Sequence, residues 1–225
     1  MNPHIAIAGP SAAGKSVICK SLASLFDAQY ICSSKLLLQV AIDRKLLSSD
    51  VLYDNNFWLS DNARKFNKLR LADTGIDEEA NKQLLSLINT NIPQVIDSLS
   101  YPFLHNENHN LVKLYLTANL DERINRANME NAKHDKVLLG RELVNKDRLA
   151  KLIFNKIWNV ELYSKNYLTY FDIVFDNSRY TFSKLEPGQP VVWPETLTNI
   201  LTLCGNYFLS QHNDLSHVFE KLVQG

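Results

Sequence analysis

The segment GPSAAGKS, residues 9–16, holds the residues whose types and spacing point most directly to chemistry. It matches the pattern G-x-x-x-x-G-K-[ST], follows an apolar run and precedes a helix-like segment. In such a loop the glycines let the backbone approach a phosphate, the lysine reaches the β- and γ-phosphates, and the hydroxyl binds Mg²⁺. The backbone N–H groups of residues 12–17 are expected to point at phosphate oxygens from a helix N-terminus. We therefore predict a site for a nucleoside triphosphate with Mg²⁺, formed by Gly9, Ser11, Ala12, Ala13, Gly14, Lys15, Ser16 and Val17.

Strand-like and helix-like segments alternate along the chain around this phosphate-binding loop (P-loop). Such alternation predicts an α/β fold with a parallel sheet covered by helices on both faces, a three-layer α/β/α sandwich. One helix is expected over 33–47, with Ser33 or Ser34 as its cap. No second domain is evident, so 1–225 is predicted to be a single domain with a helical lid at about 133–160. The five predicted strands are 4–8, 28–32, 94–97, 110–118 and 170–178.

The composition excludes several classes of protein. The 225 residues carry no formal net charge, which argues against a chain built mainly to bind nucleic acid or an anionic membrane. No apolar run approaches the roughly 20 residues that span a bilayer. The three cysteines, Cys19, Cys32 and Cys204, have no metal-ligand spacing and suit a reducing compartment. We expect a cytoplasmic monomer or homodimer with a small-molecule partner, and neither nucleic acid nor membrane as a partner.

The residues beyond the P-loop favour a small-molecule kinase over other triphosphate-binding proteins. The NKD at 145–147 lacks the spacer of the guanine-reading N-K-x-D, and Asp97 is followed by Ser98 rather than by glutamate. Asp97 ends a predicted strand, at the edge where such sheets bind ligands, so it is expected to hold Mg²⁺ through water or to bind the acceptor. A basic run is either a lid over the transferring phosphoryl group or a solvated face. Its members are Arg141, Lys146, Arg148, Lys151 and Lys156.

With this order of motifs the chain resembles the cytidylate kinase family of nucleoside monophosphate kinases, its short archaeal-type members above all. The resemblance covers about residues 4–185 and is carried by IAIAGPSAAGKSVICKSLA, YICSSKLLLQVA, VKLYLTANLDERINRA, and ELVNKDRLAKLIFNKIWNVEL followed by YFDIVFDNS. It implies a P-loop NTPase fold and transfer of the γ-phosphate of ATP, with Mg²⁺, to a nucleoside monophosphate such as CMP, dCMP or a modified cytidine nucleotide. It also implies that Lys15 acts in catalysis with the lid cations Arg141 and Arg148. Arg123 would lie near the ATP base or the lid hinge, and Asn177 near the adenine.

The sequence departs from that family where the acceptor's phosphate should bind. No arginine occurs in SLSYPF after Asp97, and the preceding helix segment DEEANKQ has only Lys82 as a basic residue. Since a phosphate dianion is held best by bidentate arginines, other cations must substitute, or the acceptor is not a nucleotide. A kinase for a non-nucleotide acceptor and a catalytically weak nucleotide-binding protein therefore stay open. The acceptor region is predicted at about 33–92, and the predicted acceptor-binding residues are Ser34, Lys35, Arg64, Arg70 and Asp97.

An aromatic segment, residues 53–66, lies within the predicted acceptor region. Its rings are expected either to stack on a base or to fill the core. They belong to Tyr53, Phe57, Trp58 and Phe66.

Overall fold

A computed structural model describes residues 4–54, 57–89, 91–105, 110–130, 135–178 and 194–211. Residues 133 and 134 of the predicted lid and the end of the family-like region, 179–185, lie outside the described residues. Among the described helices, none is long and apolar enough to cross a membrane.

The described part of the chain contains a five-stranded, wholly parallel sheet in the order β2-β3-β1-β4-β5. The five predicted strands are confirmed, and the central ones are apolar because helices cover both faces. After β1 the chain forms β2 and β3 on one side of β1 and then crosses to form β4 and β5 on the other, so the crevice for a ligand is expected at the carboxyl end of β1. The strands are β1 His4–Ala8, β2 Gln29–Cys32, β3 Gln94–Asp97, β4 Leu111–Thr117 and β5 Ile173–Asp176.

Helices connect these strands, and two short 3₁₀ turns, Ser49–Leu52 and Phe57–Leu59, precede the third helix. The predicted cap of α2 is wrong: the N-cap is Cys32, without a side-chain bond, and Ser33 is already helical. The Ser33 hydroxyl instead donates to the backbone carbonyl of Asp97 at 3.0 Å, which ties α2 to the end of β3. The helices are α1 Lys15–Leu25, α2 Ser33–Asp43, α3 Asp61–Ala72, α4 Gly75–Ser86, α5 Tyr101–Leu104, α6 Leu120–Glu130, α7 Lys136–Trp158, α8 Lys165–Leu168 and α9 Pro194–Gln211.

An aromatic cluster anchors the long helix α7 beside the sheet. The rings of Phe154 and Trp158, near the end of α7, lie 4.7 Å apart, and both meet Phe103 from α5. Tyr167 on α8 is fully buried, and its hydroxyl donates to the carbonyl of Leu99 at 2.7 Å. Because these contacts join α7 and α8 to the segment after β3, they fix one wall of the space above the carboxyl ends of the strands.

Candidate active site

The P-loop follows β1 directly, and its shape depends on two glycines. Gly9 has φ 150°, and a Cβ there would lie 1.9 Å from the carbonyl oxygen of Leu116 on β4, so no larger residue fits. Gly14, at φ 98°, is the left-handed N-cap of α1. Ala12 also has a positive φ, 58°, which is uncommon for a residue with a Cβ. The loop therefore lies tightly against the neighbouring strand at the start of α1.

The reactive side chains of the loop meet the end of β3. Lys15 donates from Nζ to the carbonyl of Pro10 at 2.8 Å, so its ammonium lies over the loop. The Ser16 hydroxyl donates to Oδ2 of Asp97 at 2.8 Å. The Tyr30 hydroxyl lies 3.4 Å from the same oxygen. Burial first, and then the Asp97 carboxylate, raise the pKa of Tyr30, so the phenol keeps its proton and acts as a donor.

A cavity of about 350 Å³ opens beside the P-loop. Its walls come from the P-loop and α1, from α2, α3 and α4, from the segment after β3, and from α7. Among its described lining residues, three side chains are cationic and two are carboxylates. These charged residues are Lys15, Arg70, Lys146, Asp77 and Asp97.

A buried ion pair occupies the wall formed by α3 and α4. Arg70 donates from Nε and Nη2 to the two carboxylate oxygens of Asp77, at 2.9 and 2.5 Å, and from Nη1 to Oδ1 of Asn67 at 2.8 Å. All three residues are more than nine-tenths buried. A guanidinium has five N–H donors, so two N–H groups of Arg70 have no partner among the described residues. The arginine is thus held in a fixed orientation with donor capacity left over.

The helices α6 and α7 also bind the backbone of the P-loop. Asp147 of α7 accepts the backbone N–H of Ser11 at 3.0 Å and pairs with Arg123 of α6. Arg123 donates from Nε to the carbonyl of Ser11 at 2.7 Å. Arg126 and Asn177 both donate to the carbonyl of Ala13, at 2.8 and 3.0 Å. The loop is therefore hydrogen bonded to two helices and to the end of β5.

A protein-family comparison matches this chain over residues 4–179 to the cytidylate kinase-like family. The chain belongs to the cytidylate kinase-like family. It is 25% identical over 177 residues to a protein named cytidylate kinase from Sulfolobus acidocaldarius, a match that covers 77% of this chain and 85% of the relative. A crystal structure of an uncharacterized protein from Eubacterium ventriosum has the same fold, with TM-score 0.53 and 18% identity, covering 92% of this chain and 98% of that one. The chain is a P-loop kinase of nucleotides or other small molecules.

The structure brings only some of the predicted acceptor residues of this kinase into the cavity. Ser34, Arg70 and Asp97 line it. Lys35 is exposed and lies outside it. Arg64 is also outside it, half-exposed, and pairs with Glu142 at 3.0 Å and with Asp61.

The two arginines predicted as lid cations, Arg141 and Arg148, lie on the exposed side of α7 and do not line the cavity. The neighbouring Lys146 does line it, with its Nζ 5.5 Å from the centre of the Trp58 ring. Both arginines would have to move from their present positions on α7 to reach the phosphates. Their catalytic role therefore stays a prediction.

The aromatic residues of 53–66 are divided between solvent, core and cavity. Tyr53 is 86% exposed, whereas Phe57 and Phe66 are buried in the core between α2, α3 and α4. Trp58 alone among these four rings lines the cavity, and it is joined there by Trp158 from α7. The cavity of this kinase therefore has an aromatic wall, which comes from Phe154, Trp158 and Tyr163 and, within the segment that the sequence indicated, from Trp58 alone.

Sequence reasoning missed several residues that now lie at the site. The sequence indicates Asp77 only as an acidic residue in the first turn of a helix. Its separation of seven residues from Arg70 nevertheless permits an ion pair across the turn between two helices. Asp147 is the acidic residue of the NKD segment, and Arg126 follows Arg123 in the DERINRA segment. No local signal indicated that either side chain binds the P-loop backbone, since those contacts span more than a hundred residues.

Proposed function

We propose that this kinase transfers the γ-phosphate of ATP to a nucleoside monophosphate, with CMP, dCMP or a modified cytidine nucleotide as the acceptor. The observation that carries the proposal is the shared cavity: Lys15 and Ser16, for the donor, line the same space as Arg70 and Asp77, for the acceptor. Direct transfer needs both substrates in one enclosed space, with the reacting atoms about 3–3.5 Å apart. The name of the curated relative supports a cytidine nucleotide as the acceptor.

On the donor side, the P-loop amides and Lys15 would bind the phosphates of ATP. The Lys15 ammonium now donates to a neutral carbonyl, that of Pro10. A phosphate oxygen is a stronger, charge-assisted acceptor, so the ammonium is expected to change partner when ATP binds. Asn177, at the end of β5, is proposed to lie near the adenine.

Ser16 and Asp97 fit a magnesium ion, because a hydroxyl and a carboxylate are both hard oxygen ligands. The hydrogen bond between them shows that the two groups lie close together. When bound, Mg²⁺ would neutralise charge on the donor phosphates. Tyr30 and Ser33 orient Asp97, one through the carboxylate and the other through the backbone carbonyl. Asp97 would hold the ion directly or through water.

On the acceptor side, Arg70 would bind the anionic group of the acceptor with the two N–H groups that Asp77 and Asn67 leave over. Lys146 would add a second cation from α7, and Ser34 a hydroxyl from α2. An oxygen of the acceptor phosphate is already anionic, so it can attack the γ-phosphorus without a general base. The new bond joins that oxygen to the γ-phosphorus, the bond to the β–γ bridging oxygen breaks, and ADP leaves. The protein's contribution is positioning and charge stabilisation.

One observation favours a second candidate, a kinase whose acceptor is not a nucleotide. The cations that line the cavity exceed the carboxylates by one, and Arg70 is already paired with Asp77. A nucleoside monophosphate would bring a dianion close to the triphosphate, whereas a hydroxyl acceptor would bring no charge. The cavity would then need fewer cations than a nucleoside monophosphate kinase does.

The test is ADP release from ATP·Mg²⁺ with a panel of nucleoside monophosphates and a blank without acceptor. We expect turnover with CMP or dCMP that Lys15→Ala abolishes. Turnover at the level of the blank with every nucleotide, in a protein that still binds ATP, would reject the nucleotide acceptor. It would direct the same assay to hydroxyl and non-nucleotide phosphate acceptors.

A further inference from the structure

Two arginines of α6 bind the backbone of the P-loop, and neither of them lines the cavity. Arg123 donates to the carbonyl of Ser11 at 2.7 Å, and Arg126 donates to the carbonyl of Ala13 at 2.8 Å. The Ala13 carbonyl also accepts a hydrogen bond from Asn177 at 3.0 Å. Two alternate carbonyls of the loop are thus held by side chains that are distant in sequence.

Arg126 is almost fully buried, so water cannot take over its hydrogen bonds to the loop. It is 4% exposed, and its Nε donates to Glu122 at 2.9 Å while Nη2 donates to the carbonyl of Asn177 at 2.5 Å. Burial lowers the pKa of Arg126, and the Glu122 carboxylate acts against that effect. An arginine side chain is effectively always protonated in proteins, so the guanidinium stays charged and keeps all its donors. The side chain is fixed between Glu122, the P-loop and the end of β5.

The held carbonyls determine where the neighbouring amides point. In a planar trans peptide the C=O and the following N–H point in opposite directions. Fixing the carbonyls of Ser11 and Ala13 towards α6 therefore directs the N–H groups of Ala12 and Gly14 to the other side of the loop. Both of these residues line the cavity. Ala12 also has a positive φ angle, which is strained for a residue with a Cβ, so outside contacts are needed to keep the loop in this conformation.

We propose that Arg126, supported by Arg123 and Asn177, is a positioning residue that sets the amide directions of the P-loop without touching the nucleotide. Phosphate affinity then depends on a buried guanidinium behind the loop. This inference rests on the proposed phosphate site at residues 9–16 and assigns the residues that preorganise it.

The test compares Arg126→Lys with the matched variant Arg44→Lys. Lysine keeps the charge but cannot bridge several acceptors as the guanidinium does. Arg44 makes a comparable set of bonds, to Asp73, Glu79 and the carbonyl of Gly75, but lies outside the cavity. Tripolyphosphate and ADP, each with Mg²⁺, are titrated calorimetrically into each protein at a temperature where circular dichroism shows it folded. We expect both ligands to bind Arg126→Lys about tenfold more weakly, which corresponds to about 1.4 kcal/mol, and Arg44→Lys to bind them like the unmodified chain.

Two further readouts separate loop positioning from general destabilisation. The ³¹P chemical shift of the β-phosphorus of bound ADP should differ between Arg126→Lys and the unmodified chain. Because Arg126 and Asn177 share the Ala13 carbonyl, the double variant with Asn177→Ala should lose less tripolyphosphate affinity than the product of the two single losses.

The outcomes separate this inference from the proposed function. If the unmodified chain binds neither tripolyphosphate nor ADP, the phosphate site fails and the inference fails with it. If the unmodified chain binds both and Arg126→Lys binds them equally well, the positioning role is overturned while the kinase proposal stands. An unchanged β-phosphorus shift in a weakened Arg126→Lys protein would likewise overturn it, since weaker binding would then not come from altered amides.

Discussion

Replacing Arg70 with methionine should separate the structural role of the buried ion pair from its role in binding the acceptor. The Arg70 and Asp77 side chains are 10% and 5% exposed, and Arg70→Met leaves the Asp77 carboxylate buried without its partner. Removing one member of such a pair costs about 3–5 kcal/mol, mostly because of the unpaired charge. For a chain of this size that loss lowers Tm by about 6–20 °C.

A double variant, Arg70→Met with Asp77→Leu, removes both charges. Well-packed apolar residues in place of a buried pair are often neutral in stability or better, so most of the lost free energy of unfolding should return. Acceptor binding should not return, because the two donor N–H groups of Arg70 are still missing. The assays are urea unfolding, and the KM for CMP in the ADP-release assay at saturating ATP. We expect a KM raised at least about tenfold in both variants, since a charged hydrogen bond contributes about 1.5–3 kcal/mol.

Two results would refute this reasoning. If the double variant is as unstable as Arg70→Met, the unpaired carboxylate is not the main cost. If the double variant keeps the KM of the unmodified chain, Arg70 does not bind the acceptor. Arg44→Met is the matched control, because it removes an arginine that bridges α2 to Asp73 and Glu79 at the surface, and it should leave the KM for CMP unchanged.

The remaining predictions concern the metal, the long helix and pH. Asp97→Asn should raise the Mg²⁺ concentration for half-maximal turnover about tenfold, and Ser16→Ala should raise it less, since a carboxylate is the stronger ligand. Equal Mg²⁺ dependence in both variants and the unmodified chain would contradict this. Lys146→Met should raise the KM of the acceptor more than that of ATP, whereas the exposed Lys165→Met should change neither KM. His4 is buried, neither of its ring nitrogens is hydrogen bonded to a described residue, and burial lowers its pKa. The folded chain therefore resists protonation, and its stability should fall as pH drops below the unfolded value of about 6.5. His4→Leu should make urea unfolding between pH 7.5 and 5.5 less pH-dependent, by up to about 1.4 kcal/mol per pH unit, and an unchanged pH slope would reject this account.

The sheet and the P-loop could be predicted because their signals are local. The strand His4–Ala8 is a short apolar run that the sheet buries on both faces, and its bounds agree with the prediction. The loop residues are contiguous, and each glycine meets a constraint that a Cβ would violate, as the contact between Gly9 and Leu116 demonstrates. Even the meeting of Ser16 with Asp97 follows from the parallel sheet, since the carboxyl ends of β1 and β3 are neighbours.

The acceptor side could not be predicted to the same depth, because it depends on how helices are rotated against one another. The sequence alone does not distinguish between Lys35, Arg64 and Arg70 as acceptor-binding cations. In the structure only Arg70 lies on the buried side of its helix. The same holds along α7, where Lys146 points into the cavity and Arg148, two residues on, is exposed. A run of basic residues indicates a charged helix, and the packing of that helix decides which members reach a ligand.

The arginines around the cavity and the P-loop are each paired with a carboxylate, and burial and geometry divide their proposed roles. Arg126 is bonded to Glu122 behind the loop and is too enclosed to reach a ligand, so its charge serves to hold backbone carbonyls. Arg123 bridges the loop to α7, because it binds both Ser11 and Asp147. Arg70 differs because it lines the cavity with donors to spare, and an acceptor anion can bind without breaking its pair with Asp77. Binding at Arg70 therefore adds a partner to an arginine that is already oriented, which avoids the entropic cost of ordering a flexible side chain.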